Sequence, residues 1–130
     1  INSSIAIIDK RRAAPGKSEV MNLVGHVKNK NCIIVDDIID TGGTIVNAAK
    51  ALKDKGAKDV FVYITHAVLS GQAMDKIESS QIKKLFTTDT IDNSKKIRKS
   101  KKIEIISLAP IISEAMKRIA NSTSVSSLFN

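Results

Sequence analysis

The segment IIVDDIIDTGGTIVNAAKAL, residues 33–52, constrains the fold of this chain more than any other stretch. Its aliphatic start is typical of a strand that is buried on both faces of a parallel sheet. After the Thr-Gly-Gly-Thr turn, apolar residues recur at helical spacing: Ile45, Ala48, Ala49 and Leu52. The segment therefore predicts a strand, a tight turn and a helix, which is the connection that builds parallel α/β sheets.

Strand-like and helix-like segments alternate along the rest of the chain. The pattern predicts strands over 4–9, 20–27, 32–36, 60–64, 84–88 and 103–108, and helices over 45–52, 72–79 and 110–120. Between them lie a basic loop at 10–19 and a charged loop at 92–102, and a polar tail follows at 121–130. With 130 residues, this alternation predicts one α/β domain with three layers around a parallel sheet.

The composition favours anionic small molecules as ligands. The formal net charge is +8, which attracts phosphates, nucleotides or nucleic acid. Aromatic residues make up only 3%, so a surface that stacks single-stranded bases is disfavoured. Cys32 is the only cysteine, which excludes an internal disulfide and a cysteine-rich zinc site. No apolar run approaches the roughly 20 residues of a membrane helix, and no signal peptide is visible, so we expect a cytoplasmic location.

The DDIIDTGGT stretch has the chemistry of a sugar-phosphate site. Ligands of open α/β sheets bind beyond the carboxyl ends of the strands. Gly42 and Gly43 allow a tight turn, we expect Thr44 to cap the helix, and the amides of a helix N-terminus bind anions. Aspartates cannot bind phosphate directly, but they accept hydrogen bonds from sugar hydroxyls or hold a cation. A phosphorylated ribose fits both halves; the alternative is a capping turn with solvated aspartates.

Five motifs occur along the chain in the order AIIDKRR, VMNLVGHV, VDDIIDTGGTI, THAVLSG and SVSSLF. In this order and spacing they resemble the C-terminal half of the ribose-phosphate diphosphokinases (phosphoribosyl diphosphate synthetases), which have the type I phosphoribosyltransferase fold. The resemblance covers essentially all of the chain. It implies a preceding domain of the same fold, which these residues do not contain. Because the chain begins at Ile1 and not at Met, we expect a fragment of a longer subunit, with little activity alone.

The resemblance also implies a reaction, in which the diphosphoryl group of ATP is transferred to the 1-hydroxyl of ribose 5-phosphate and AMP leaves. Mg²⁺ is the implied cofactor, and no residue of this chain is assigned as its ligand. Lys10 would be the catalytic lysine and Arg12 its partner, on a flexible loop (10–19) that closes over ATP. Taken alone, this basic stretch also fits a solvated turn.

Several residues correspond by similarity to the ribose 5-phosphate site. Asp36 would hold the ribose hydroxyls, and Asp37 would assist directly or through Mg²⁺-bound water. The loop around the 5-phosphate would comprise Asp40, Thr41, Gly42, Gly43 and Thr44. Whether Asp40 contacts the sugar or orders the loop stays open, as does the choice between a substrate contact and a structural role for His66.

The tail resembles a family segment that lines a regulatory site between subunits. Ser124, Ser126 and Phe129 would be its residues, with phosphate as activator and ADP as inhibitor. The alternative is a frayed terminus with one hydrophobic anchor. The family forms homo-oligomers, commonly hexamers, and we expect self-association here but no nucleic-acid or membrane partner.

Two other functions remain open at this point. A catalytically silent relative could regulate a partner synthetase, although Lys10, Arg12 and the aspartates are all present. A type I phosphoribosyltransferase that uses a nucleobase would share the acidic loop. That class fits the basic loop and the SVSSLF tail poorly, and no base-binding hood is visible.

Overall fold

The computed structural model describes residues 3–11 and 20–129. Its strands are β1 Ile7–Arg11, β2 Val20–Val24, β3 Asn31–Ile39, β4 Asp59–Ala67, β5 Lys84–Thr88 and β6 Ile103–Ile106. Its helices are α1 Gly43–Asp54, α2 Ala73–Ser79, α3 Ser94–Ile97 and α4 Ala109–Ala120, and a short 3₁₀ turn spans Ser126–Leu128.

The four strands β3, β4, β5 and β6 form a parallel sheet in that order. β1 and β2 form a separate antiparallel pair, in which Ile7 lies opposite Val24. Parallel neighbours require crossover connections, and α1, α2 and α3 lie in the three connections of this sheet. The predicted α/β class with a parallel sheet is confirmed.

The core lies between one face of the sheet and helices α1, α2 and α3, since α4 has no buried residue. Alternate residues of β4 point to that face, and Val60 and Val62 are fully buried there. Ala49 of α1 and Ile77 of α2 are likewise without solvent exposure. The apolar stripe predicted for the helix after the Gly-Gly turn therefore packs as the sequence indicates.

The other face of the sheet is open in the part of the chain that the structure describes. Ile33 and Val35 of β3 are 53% and 77% exposed, and Tyr63 of β4 is 40% exposed while its ring stacks on Phe86. The prediction that these strands are buried on both faces is therefore wrong for the described residues. The aliphatic pattern indicates what a strand can bury, not what covers it.

Some predicted boundaries also change. Residues 4–6 are not in a strand, and Ile5 is 85% exposed, because the β1–β2 pair does not join the parallel sheet and has little core behind it. The charged loop at 92–102 contains the single turn of α3. Among the described residues, no helix is both long and apolar enough to cross a membrane.

Candidate functional site

A cavity of about 230 Å³ lies at the carboxyl end of β3. It is lined by Asp36, Ile38, Ile39, Asp40, Thr41, Gly42, Gly43, Thr44 and Ile45. The structure thus brings Asp36 and the whole predicted phosphate loop to one space. Asp37 is exposed and is not part of this lining, because successive strand residues point to opposite faces of the sheet.

The turn into α1 depends on Gly42. This residue is buried, precedes the helix and has a φ of 74°, in the left-handed region that favours glycine. A Cβ there would lie 3.7 Å from the backbone of Ala73, so α2 packs closely under the turn. The expectation that Thr44 caps the helix is wrong: Thr44 lies inside the first turn, and no side chain of the described residues caps the helix N-terminus. The glycine turn replaces a side-chain cap.

The helix N-terminus carries uncompensated donors. The N–H of Val46 makes the first bond of the helix, to the carbonyl of Gly42 at 3.0 Å. The amides of Gly43, Thr44 and Ile45 come before it and have no partner within the helix. The first turn of α1 contains no acidic residue, so the positive end of the helix dipole is not neutralised from within the helix. These amides can therefore receive an anion such as a phosphate.

The aspartates occupy different parts of the site. Asp36 is exposed, and its Oδ1 accepts a hydrogen bond from the N–H of Asp37 at 3.0 Å. Asp40 holds the loop through its backbone, since its carbonyl accepts from the N–H of Ser70 at 3.1 Å. Lys76 adds a cation nearby, because its Nζ donates to the carbonyl of Thr41 at 3.2 Å. The site thus combines carboxylate acceptors with amide and ammonium donors.

The described residues contain no cluster of three or more histidine, cysteine or acidic side chains that could hold a metal ion. Mg²⁺ commonly binds through one or two carboxylates together with substrate phosphates. Asp36 and Asp37, adjacent and exposed at the strand end, fit that limited role.

A second group of polar residues at the same edge of the sheet was missed by the sequence interpretation. Asp89 follows β5 and accepts from the N–H of Leu108 at 2.9 Å and from the hydroxyl of Ser107. Both hydrogen bonds lower the pKa of the Asp89 carboxyl, and the bond from Leu108 has the larger effect. The buried Asn93 donates to the carbonyl of Ala67, which ties this loop to the end of β4. The signal was available, because Thr-Thr-Asp-Thr closes a predicted strand and strand ends of a parallel sheet meet at one edge.

A larger cavity, of about 440 Å³, lies elsewhere. It is formed between the segment before β1 and the first half of β3, and it includes Ile5, Ile8, Cys32 and Ile34. Burial raises the pKa of the Cys32 thiol, in spite of the opposing effect of Lys30. We place the candidate site at the smaller cavity, since binding sites combine concavity with converging polar groups at strand ends.

The other predicted site residues lie at the start of the chain and in its tail. The backbone of Lys10 lies in β1 opposite Met21, whereas its side chain and all of Arg12 lie outside the described residues. Ser124 and Ser126 are exposed, and Phe129 is 75% exposed. The carbonyl of Ser124 accepts from the guanidinium of Arg118 at 3.1 Å, which fastens the tail to α4. The roles proposed for these residues stay predictions.

The fold and the loop after β3 define an α/β protein of the type I phosphoribosyltransferase kind. The chain belongs to the family described as phosphoribosyl synthetase-associated domain, whose model matches residues 4–130.

Individual relatives agree with this family. The chain is 55% identical over its full length to a ribose-phosphate pyrophosphokinase of Clostridium tetani, covering 40% of that protein. It is 50% identical over 99% of its length to a ribose-phosphate pyrophosphokinase of Hyphomonas neptunium, covering 41% of that protein. A crystal structure of phosphoribosylpyrophosphate synthetase from Mycobacterium smegmatis superposes with a TM-score of 0.77 at 33% identity, covering 90% of this chain and 37% of the other. The chain therefore spans about two fifths of the length of these relatives.

Proposed function

We propose that this chain provides the ribose 5-phosphate site of a ribose-phosphate diphosphokinase. The enzyme transfers the diphosphoryl group of ATP to the 1-hydroxyl of ribose 5-phosphate, giving 5-phosphoribosyl 1-diphosphate and AMP for nucleotide biosynthesis. One observation carries the proposal: Asp36 and the N-terminus of α1 line a single cavity at the carboxyl end of β3. The names of the relatives, which are pyrophosphokinases, support the same activity.

The two halves of the cavity fit the two ends of the sugar phosphate. The amides that begin α1 donate to the 5-phosphate, and the carboxylate of Asp36 accepts from the ring hydroxyls. Holding the sugar at both ends fixes the 1-hydroxyl for in-line attack, and such positioning is a large part of phosphoryl transfer catalysis. The cavity thus orients the sugar phosphate, while cationic groups elsewhere stabilise the negative charge of the transferred diphosphoryl group.

Lys10, whose backbone lies in β1, and Arg12, which follows β1 in the sequence, are proposed to supply that positive charge. Mg²⁺, the proposed cofactor, would supply charge neutralisation at the phosphates, and Asp36 and Asp37 would be the carboxylates available to hold it. The chain spans about 40% of the length of such a relative. The ATP site is therefore proposed for the longer protein and not for this chain alone. We also propose that the protein assembles into a homo-oligomer such as a hexamer and is located in the cytoplasm. Phosphate and ADP are proposed to control it at Ser124, Ser126 and Phe129.

Calorimetric titration with ribose 5-phosphate tests the proposal. Asp36→Ala removes a charged acceptor and is expected to weaken binding, because hydrogen bonds to charged groups are worth about 1.5–3 kcal/mol, or roughly 10- to 100-fold in the dissociation constant. Asp54→Ala is the matched control: it removes the same charge from the exposed far end of α1 and is expected to leave affinity unchanged. Equal weakening by both variants, or no binding by the wild type, would contradict the assignment.

A further inference from the structure

His66 stands at the end of β4 in a network of hydroxyl groups. Its Nδ1 lies 2.9 Å from the Oγ1 of Thr90. The hydroxyls of Thr90 and Thr88 both lie within donating distance of the carbonyl of Thr65, at 3.0 and 2.6 Å. The network therefore joins the end of β4 to the loop that follows β5.

Counting hydrogens assigns the tautomer of the imidazole. A carbonyl oxygen has two lone pairs, so that of Thr65 can accept from both threonine hydroxyls at once. Once the hydrogen of Thr90 is used in this way, its oxygen is left to accept, and Nδ1 of His66 must carry the hydrogen. With Nδ1–H the network contains three internal hydrogen bonds. Donation from Thr90 to Nδ1 would leave two internal bonds, and the hydrogen on Nε2 would then face solvent, since His66 is exposed. The network with the most internal hydrogen bonds therefore has Nδ1–H and leaves a lone pair on Nε2.

His66 lies on the strand beside the candidate site, although it is not among the residues that line the cavity. Its Cα is the register partner of Ile38, which lines the cavity. Adjacent strands lie about 4.8 Å apart. The two nitrogens of an imidazole face nearly opposite directions, so Nε2 points away from Thr90. β3 lies on the side of β4 opposite β5, and His66 is exposed at this edge.

We propose that His66 is a specificity-determining residue whose Nε2 accepts a hydrogen bond from a sugar hydroxyl. The inference rests on the proposed function and deepens it by dividing the site into two kinds of group. Asp36 and Nε2 accept and therefore select hydroxyls, whereas the amides of α1 donate and select the phosphate. A neutral imidazole with a fixed lone pair repels phosphate oxygens, so His66 distinguishes a phosphorylated sugar from free phosphate.

Imidazole ¹⁵N resonances under mildly alkaline conditions test the tautomer. His26, the second of the two histidines, is the internal reference. The wild type is expected to show His66 with Nδ1–H, Thr90→Ser to keep this state, and Thr90→Val to lose it while the His26 resonances stay in place. A wild-type His66 with Nε2–H would overturn the proposal.

Ligand titration of the same sample tests the role. Ribose 5-phosphate is expected to shift the Nε2 resonance of His66, and inorganic phosphate is expected to shift the amides of Gly43 and Thr44 without moving it. Amide shifts with ribose 5-phosphate and an unchanged Nε2 would overturn the role of His66 and leave the proposed function standing. If neither the amides nor Nε2 respond to ribose 5-phosphate, the proposed function fails and this inference fails with it.

Discussion

Replacing Gly42 by alanine tests how the glycine turn builds the phosphate loop. The φ of 74° at this position forces an alanine into the left-handed region, at a cost of roughly 1–2 kcal/mol. The added Cβ would be 3.7 Å from Ala73, an ordinary contact, so no steric penalty is added. Alanine also restricts the unfolded chain, which returns about 0.4–1 kcal/mol. The net expected loss of unfolding free energy is about 1 kcal/mol.

Gly43→Ala is the matched control one residue further along. Gly43 is the first residue of α1, and the nearest atom to an added Cβ is the Oγ1 of Thr41 at 4.0 Å. Only the effect on the unfolded chain applies, so this variant is expected to gain about 0.4–1 kcal/mol. In urea denaturation the two midpoints should separate by about 1 M for slopes of about 1–2 kcal/mol/M. Changes of the same sign and size in both variants would refute the assignment of strain to Gly42.

Other measurements test neighbouring features. Thr87 is 1% exposed, and its hydroxyl has no hydrogen-bond partner among the described residues. Thr87→Val should therefore raise the unfolding free energy by about 1–3 kcal/mol. Thr88→Val removes a 2.6 Å hydrogen bond to the carbonyl of Thr65 and should lower the unfolding free energy in the same urea experiment. The ionised carboxylate of Asp89 stabilises the fold above the ordinary aspartate pKa of about 3.9. This stabilisation is lost as the pH falls through the lower pKa that Asp89 has in the folded state. The stability difference between wild type and Asp89→Asn should therefore shrink as the pH falls from about 6 to about 3. Burial raises the pKa of Cys32, so its alkylation near neutral pH should be slower than that of free cysteine.

The local parts of the fold could be predicted from the sequence. The strand predicted over 84–88 is found as Lys84–Thr88, because a short apolar run with polar flanks determines its own boundaries. The strand predicted to end at 36 instead runs to Ile39, since β4 continues to pair with it as far as Ala67. Strand ends depend on the neighbouring strand, which local patterns do not contain.

The candidate site likewise has one part that the sequence predicts and another part that it does not. Asp36 and the loop from Asp40 to Thr44 are contiguous in sequence, so their shared cavity could be predicted from the strand–turn–helix pattern alone. The bond between His66 and Thr90 joins residues 24 positions apart. The order and spacing of the strands decide that contact, and the sequence pattern indicated the strands without their register.

The central claim is that the sugar phosphate binds between Asp36 and the start of α1. A map of backbone amide shifts on addition of ribose 5-phosphate tests it most directly, because each amide reports its own surroundings. The account predicts the largest changes at Gly43, Thr44 and Ile45, and smaller changes at the same ligand concentration in Asp36→Ala, which is expected to weaken binding. Largest changes in the lysine-rich segment at 95–102 or in the tail at 124–129, with the α1 amides unmoved, would contradict it.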